Sequence, residues 1–231
     1  MHSLVAVYLQ SINERAMARR KMVKIAAYQA LPNCFDRTDS DKKGQWRAYF
    51  QNDNPLILEL GCGRAEFSYE LAKRYPTHNY IGIDLKPDRM WYSARQAIAE
   101  GVSNIAFLQI NLLELADYFG ENEASEIWIT FPDPFPKKKQ AKHRMINPNF
   151  LALYQKVLQA QGMMNFKTDN LDLFHYSLQV FVDQPNIQLK QLSFDLHEDE
   201  RIQADVKIHT TYEKRFMELG EKIKYVSWQF V

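Results

Sequence analysis

The sequence predicts an α/β fold with a mainly parallel, twisted sheet and helices on both faces. Three observations predict it. From Pro55 onward, short apolar runs alternate with stretches of helical period, the pattern of repeated βα units. The first of these runs, Leu56–Leu60, stops at Gly61-Cys62-Gly63, and a helical pattern begins at Glu66, so strand, tight turn and helix start follow one another. Hydrophobic residues make up 46% of the 231, enough to bury a full core in one globular domain.

Taken in order, Leu4, Tyr8, Ile12 and Ala16 recur at helical spacing and predict a helix over residues 4–28. Its later part is basic (Arg15, Arg19, Arg20, Lys21, Lys24), which fits either a solvated face or an arm that contacts phosphates. Pro32, Asn33, Gly44 and Pro55 lie among charges and mark residues 32–54 as a connector, so residues 1–54 are an N-terminal helix and connector ahead of a domain at 55–231. Predicted strands at 56–60, 79–84, 104–110, 126–131, 163–167 and 187–196 alternate with predicted helices at 66–74, 87–100, 112–119, 147–160 and 171–183. A short helix from Thr210 to Leu219 ends at Gly220, and residues 222–230 alternate as a last strand, whose short connection predicts antiparallel pairing.

Composition excludes several classes. The formal charge is +1, from 29 basic and 28 acidic residues, so any nucleic-acid contact rests on local patches. Cys34 and Cys62 are too few for a disulfide framework and suit a reducing, cytoplasmic setting. No basic-then-apolar start resembles a signal peptide, and no apolar run reaches the ~18 residues that a membrane span needs. His143 and His175 have no second ligand at metal spacing, so no metal is expected.

Two stretches carry chemistry. At the glycine turn, Gly61 takes the special dihedrals and Gly63 lets a ligand approach the backbone. A dinucleotide fingerprint asks for a third glycine where Glu66 stands, and a carboxylate there opposes a pyrophosphate, which weighs against a NAD oxidoreductase. Glu59 just before the turn suits instead a cofactor without phosphates that carries positive charge, such as S-adenosylmethionine. Asp84, about 20 residues after the glycines, is placed to accept from ribose hydroxyls, or to serve as a loop cap. Asn111 ends the third strand and suits either an adenine edge or a turn. The second stretch is Phe131-Pro132-Asp133-Pro134-Phe135-Pro136-Lys137-Lys138-Lys139, just past a strand's carboxyl end. Its three prolines stiffen the backbone, Asp133 is held between two of them, and Phe131 and Phe135 offer flat faces for a base. Lys137 to Lys139, Lys142, His143 and Arg144 add phosphate-binding charge.

Glu59 with Gly-Cys-Gly, the Phe-Pro-Asp-Pro-Phe-Pro-Lys-Lys loop, Lys167-Thr168-Asp169 and Thr210-Thr211-Tyr212-Glu213, in this order and spacing, resemble the bacterial tRNA (guanine-N7-)-methyltransferase family over roughly residues 30–230. The proline loop is the specific part. The resemblance implies a Rossmann-like class I S-adenosylmethionine-dependent fold and methylation of guanine 46 in the tRNA variable loop by a cytoplasmic monomer or homodimer. It implies cofactor contacts from Glu59, Gly61, Gly63, Asp84, Asn111 and Asp133, with Asp133 catalytic. It implies substrate contacts from Lys137, Asp169, Thr210, Thr211, Tyr212 and Glu213. The commoner family form has Trp where Phe135 stands and Gly where Ala65 stands; both positions keep the aromatic or small character. Thr210-x-x-Glu213 also fits a capping box. A methyltransferase for small molecules or proteins leaves the lysine cluster unexplained, and a noncatalytic RNA-binding protein leaves Glu59, Asp84 and Asp133 unexplained.

Overall fold

The computed structural model describes residues 17–231. The first part of the helix expected at 4–28 lies outside the described residues; the rest forms α1 over residues 17–29. Tyr28 fastens α1 to the sheet: it is fully buried, and its hydroxyl donates to the carbonyls of Phe107 (2.9 Å) and Phe35 (3.1 Å).

The stretch expected as connector contributes to the same body. Cys34–Phe35 (β1) pairs in parallel with Phe107 and Leu108 at the sheet edge, and Trp46–Phe50 forms a helical turn, α2. Trp46 is fully buried, stacks on Phe119 at 5.5 Å and donates its indole N–H to Tyr118 O at 3.0 Å. Aromatic anchors therefore hold this polar segment, although its composition resembles a loop.

The alternating units follow. β2 is Leu56–Leu60, α3 Glu66–Arg74, β3 Asn79–Asp84, α4 Pro87–Ala99 and β4 Ile105–Gln109. A 3₁₀ turn at Leu112–Glu114 leads into α5 at Leu115–Tyr118, then β5 at Ala124–Thr130. A 3₁₀ segment at Lys138–His143 precedes α6 (Pro148–Val157) and β6 (Leu158–Thr168). The chain closes with α7 (Leu171–Val182), β7 (Ile187–Ser193), α8 (Thr211–Glu218) and β8 (Lys224–Phe230).

The eight strands run in the order β1-β4-β3-β2-β5-β6-β8-β7. β1 to β6 are parallel, while β8 pairs antiparallel with both β6 and β7, the expected sense, although the 194–223 connection holds α8 and is long enough for a parallel crossover. From β2 the chain first winds outward through β3 to β4, and then returns to place β5 on β2's other side. The crevice between the carboxyl ends of β2 and β5 is the topological switch point, where ligands bind in such sheets. Apolar clusters cover both faces: Leu58, Ile129, Phe166 and Trp228 belong to one, and Phe67, Phe107, Trp128 and Tyr225 to the other.

One boundary moves far from expectation. The helix expected at 147–160 ends at Val157, and β6 begins at once. Leu158 pairs with Ala124 of β5, so sheet hydrogen bonding overrides the helical preference of Leu-Gln-Ala-Gln. Gly162 is required in this crowded strand start: a Cβ there would lie 2.7 Å from Leu158 Cγ.

Candidate active site

A cavity of about 680 Å³ opens over the carboxyl ends of β2, β3, β5 and β6. Of the site residues expected from sequence, it brings together Glu59, Gly61, Gly63, Asp84, Asp133, Asp169, Thr210 and Tyr212. Asn111, Lys137, Thr211 and Glu213 lie outside its walls.

The glycine turn forms its floor. Gly61 and Gly63 adopt φ of +66° and +57°. Ala65 also sits in the left-handed region, at +55°, which explains why glycine suits this position in the family. Ala65 is buried against β3, where only glycine fits opposite: a Cβ on Gly82 would meet the Ala65 Cβ at 2.9 Å. The turn is closed by Cys62 N–H to Ile83 O (3.0 Å) and Ala65 N–H to Cys62 O (2.7 Å).

Two carboxylates flank this floor. Glu59 is buried; its Oε2 accepts from Ser68 Oγ (2.6 Å) and N (3.1 Å), and its Oε1 accepts from Thr130 Oγ1 (2.7 Å). Burial pushes its carboxyl above the ordinary range, against the pull of those donors and of Lys167. Asp84 ends β3 and accepts from Gly63 N (2.8 Å) and Lys86 N (2.8 Å). It therefore shapes the glycine turn while lining the cavity. Its carboxyl is also raised by burial, although those two N–H groups, Arg89 and Lys86 oppose the shift.

The proline loop forms the opposite wall. Phe131 and Phe135, each followed by proline, are held at φ of +49° and +44°. Side chains avoid this region, and each such residue costs of order 1–3 kcal/mol, which the surroundings must offset. For Phe131 they do so through its N–H to Lys167 O (2.9 Å) and a ring stacked on Phe216 at 5.8 Å. For Phe135 the brace is Arg144, expected from sequence as a phosphate contact. The Arg144 Nε donates to Pro134 O and Phe135 O (both 3.2 Å), and Nη2 to Phe135 O (3.0 Å). The guanidinium also lies over the Tyr176 ring at 4.3 Å. Asp133 is thus carried, exposed, on a backbone fixed from both ends.

The C-terminal motif closes the site. Thr210 caps α8 by accepting from Glu213 N (3.2 Å), half of the expected capping box. Glu213's carboxylate has another task. It is fully buried, its Oε2 accepts from Lys167 Nζ at 2.9 Å and its Oε1 from His197 Nε2 at 2.9 Å. Lys167, also fully buried, donates to Val206 O and Ile208 O as well. Burial lowers the Lys167 pKa; burial would raise that of Glu213, but His197 and Lys167 bring it below the ordinary range. Glu213 therefore acts by holding α8 to the end of β6, and leaves Thr210 and Tyr212 to face the cavity. Thr211 donates from N and Oγ1 to Glu66 (2.7 and 2.9 Å), which ties α8 to the glycine turn.

Asn111 caps the 3₁₀ turn after β4 by accepting from Leu113 N (3.1 Å), the turn role also open from sequence. Lys137 is exposed at the start of the 3₁₀ segment beside the wall. Asp169, just past β6, faces the cavity, and burial raises its carboxyl. Sequence reasoning missed Arg89 and Phe216 in the walls, and Met145, whose sulfur lies where a Cβ on Gly61 would come within 3.2 Å. Only tertiary packing assembles these, and no local signal marks them.

The sheet order and a switch-point cleft with carboxylates at successive strand ends define the protein as having the class I methyltransferase fold. Solved structures agree: one described as an antibiotic-related methyltransferase superposes with a TM-score of 0.62 at 18% identity, covering 81% of this chain and 94% of that one. Another, a mutant 16S rRNA (adenine(1408)-N(1))-methyltransferase with cosubstrate SAM from Catenulisporales acidiphilia, gives 0.56 at 14% identity, with coverage of 81% and 91%. A family described as a putative methyltransferase matches residues 53–226. The tRNA (guanine-N(7)-)-methyltransferase of Cytophaga hutchinsonii is 39% identical over 220 residues, 93% of this chain and 99% of its own length. The chain belongs to the tRNA (guanine-N(7)-)-methyltransferase family.

Proposed function

We propose that the protein transfers a methyl group from S-adenosylmethionine to N7 of guanine 46 in the variable loop of tRNA. The observation that carries the proposal is the pairing of a floor bearing two carboxylates (Glu59, Asp84) with a braced wall bearing Asp133, across one switch-point cavity. The nucleotide position follows the family resemblance of the proline loop.

The residues fit the cofactor. A cavity of about 680 Å³ edged by Glu59, Asp84, Asp133 and Asp169 suits a nucleoside that carries positive charge. Gly63, where a Cβ would meet nothing within 4 Å, leaves the backbone open to close approach. Asp84, at the end of β3, would accept from the ribose hydroxyls, and Glu59 and Asp133 would favour the cationic portion. When bound, S-adenosylmethionine supplies an electrophilic methyl group activated by a positive sulfonium.

Guanine N7 presents an in-plane lone pair and carries no proton, so the protein needs no general base. Its work is alignment and charge placement. Phe131 and Phe135 form a flat wall for the base, and alignment of this kind is worth up to ~7–11 kcal/mol of barrier. Transfer leaves the purine cationic. The Asp133 and Asp169 carboxylates, fixed before reaction, favour that charge, and they suit the N1 and N2 donors of guanine. An Arg or Lys on O6 and N7, the common contact in DNA, would block the nucleophile.

The test is methylation of an unmodified tRNA transcript with labelled S-adenosylmethionine, the site being mapped by borohydride–aniline cleavage. A single cleavage at guanine 46 is expected, lost when that guanine is replaced by 7-deazaguanine. Label at another nucleotide would overturn the position, and no transfer to tRNA would overturn the function.

A further inference from the structure

A second hollow, of about 630 Å³, lies between α3 and α4 on one side and the 207–214 segment on the other. Arg64 and Glu66 line both this groove and the reaction cavity, so the two share a wall. Thr211 faces the groove, while its neighbours Thr210 and Tyr212 face the cavity.

The groove's charge is basic. Arg64, Arg74, Lys207 and Lys214 line it. The acidic residues are Glu66 and Glu70, and Glu66 is already engaged by Thr211 and lies 3.4 Å from Arg64 Nε. The buried Arg64 Nε has no aligned acceptor among the described residues, and the Arg64 guanidinium lies over the Tyr92 ring at 4.5 Å. Lys24 of α1 also bonds the Tyr92 hydroxyl and lies 4.4 Å from the centroid of the same ring. Arg19, Arg20 and Lys21, one to two turns earlier on α1, are exposed. A basic track thus runs from α1 across Tyr92 to the wall of the reaction cavity, on a protein whose overall charge is only +1.

We propose that this groove holds the sugar-phosphate backbone of the tRNA nucleotides that flank the target guanine, with α1 continuing the path. The proposal rests on the tRNA reading above and names where the substrate runs. A strand whose base enters the cavity can leave past Arg64 and Glu66, the wall that cavity and groove share, and there it meets successive cations beside an aromatic ring, the pairing that binds single-stranded nucleic acid. An acidic protein would also satisfy the charge, but it would have no reason to adjoin the reaction cavity.

The test compares wild-type enzyme with the double variant Arg74→Gln, Lys214→Gln, since both side chains lie in the groove and outside the reaction cavity. Loss of two phosphate contacts should flatten the log-affinity versus log-salt slope for tRNA by about 1.4 to 1.8, or roughly 20-fold in affinity at 0.15 M salt. KM for tRNA should rise in parallel, with S-adenosylmethionine affinity and kcat at saturating tRNA within twofold of wild type. An unchanged slope and affinity, in a preparation whose wild type methylates tRNA, would overturn the groove and leave the function standing. A wild type that transfers no methyl to tRNA would overturn the function itself. A photoreactive benzophenone side chain in place of Gln96, also in the groove, supplies a readout independent of those variants. Cross-links to nucleotides beside the methylated guanine are expected; cross-links confined to nucleotides remote from it would overturn the proposal.

Discussion

Replacing Glu213 with Gln tests the assignment of this residue to the interior. In the structure Lys167 Nζ donates to Glu213 Oε2 (2.9 Å), Val206 O (3.1 Å) and Ile208 O (3.3 Å), and it faces the Phe67 ring at 4.7 Å. Both Lys167 and Glu213 are fully buried. In the variant one amide oxygen can accept from Lys167 or from His197 but not from both, and the amide N–H group faces the other donor, while the negative charge opposite the ammonium is gone. An orphaned buried charge of this kind costs about 3–5 kcal/mol. At roughly 2–4 °C per kcal/mol for a chain of this size, the melting temperature should fall by about 6–20 °C. Calorimetry at pH 7 measures this directly. The double variant Lys167→Met, Glu213→Leu should recover most of the loss, since a buried ion pair replaced by apolar side chains is often neutral. The sign with pH follows from Glu213's lowered carboxyl: its contribution is present above the unfolded carboxylate range and disappears as pH falls through the folded value. The acid limb of stability should therefore be shallower in Glu213→Gln. A variant that melts with the wild type but binds tRNA weakly would refute the reasoning and return Glu213 to the substrate surface.

Glu59→Gln should separate stability from binding. Burial raises the Glu59 carboxyl, so in the wild type its contribution is full below the unfolded value and declines as pH rises through the folded one. The variant should melt at or above the wild-type temperature at pH 7 yet bind S-adenosylmethionine more weakly in calorimetry; a lower melting temperature with intact binding would contradict this. Arg144→Lys keeps the charge but not the fork that braces Pro134 and Phe135. Loop misplacement should lower kcat by about 10²-fold with little change in the salt slope for tRNA. Full activity in that variant would make Arg144 a plain phosphate contact. Asp84→Ala should weaken S-adenosylmethionine binding by ~1.5–3 kcal/mol if its carboxylate accepts from the ribose, and an unchanged affinity would remove it from the cofactor site.

Much of the fold was legible because it is locally encoded. Leu56–Leu60, Glu66–Arg74 and Asn79–Asp84 lie where apolar runs, the glycine turn and helical period place them. Cys34–Phe35 and Trp46–Phe50 were not legible, since partners far along the chain, Phe107 and Phe119, order them. The same division holds in the site. Glu59, the glycines, Asp84 and Asp133 converge because strand ends and a proline loop mark them, and the switch point gathers strand ends. Glu213 and Arg144 look like surface charges in the sequence. Their internal partners, Lys167 and the carbonyls of Pro134 and Phe135, are fixed only by packing.

The central claim is that the protein acts on guanine N7 by placement and fixed charge, with Asp133 as the group so placed. The most direct measurement is the single-turnover rate of methyl transfer to tRNA across pH, for wild type and Asp133→Asn. The wild-type rate should fall only in the acid range, as carboxylates protonate, and stay level across neutrality. Asp133→Asn should be slower by ~10²–10³ at every neutral pH, the scale for loss of one preorganised group. A rising limb near neutral pH that vanishes in Asp133→Asn would make Asp133 a general base, and a near wild-type rate in the variant would leave it no part in the chemistry; either result would contradict the account.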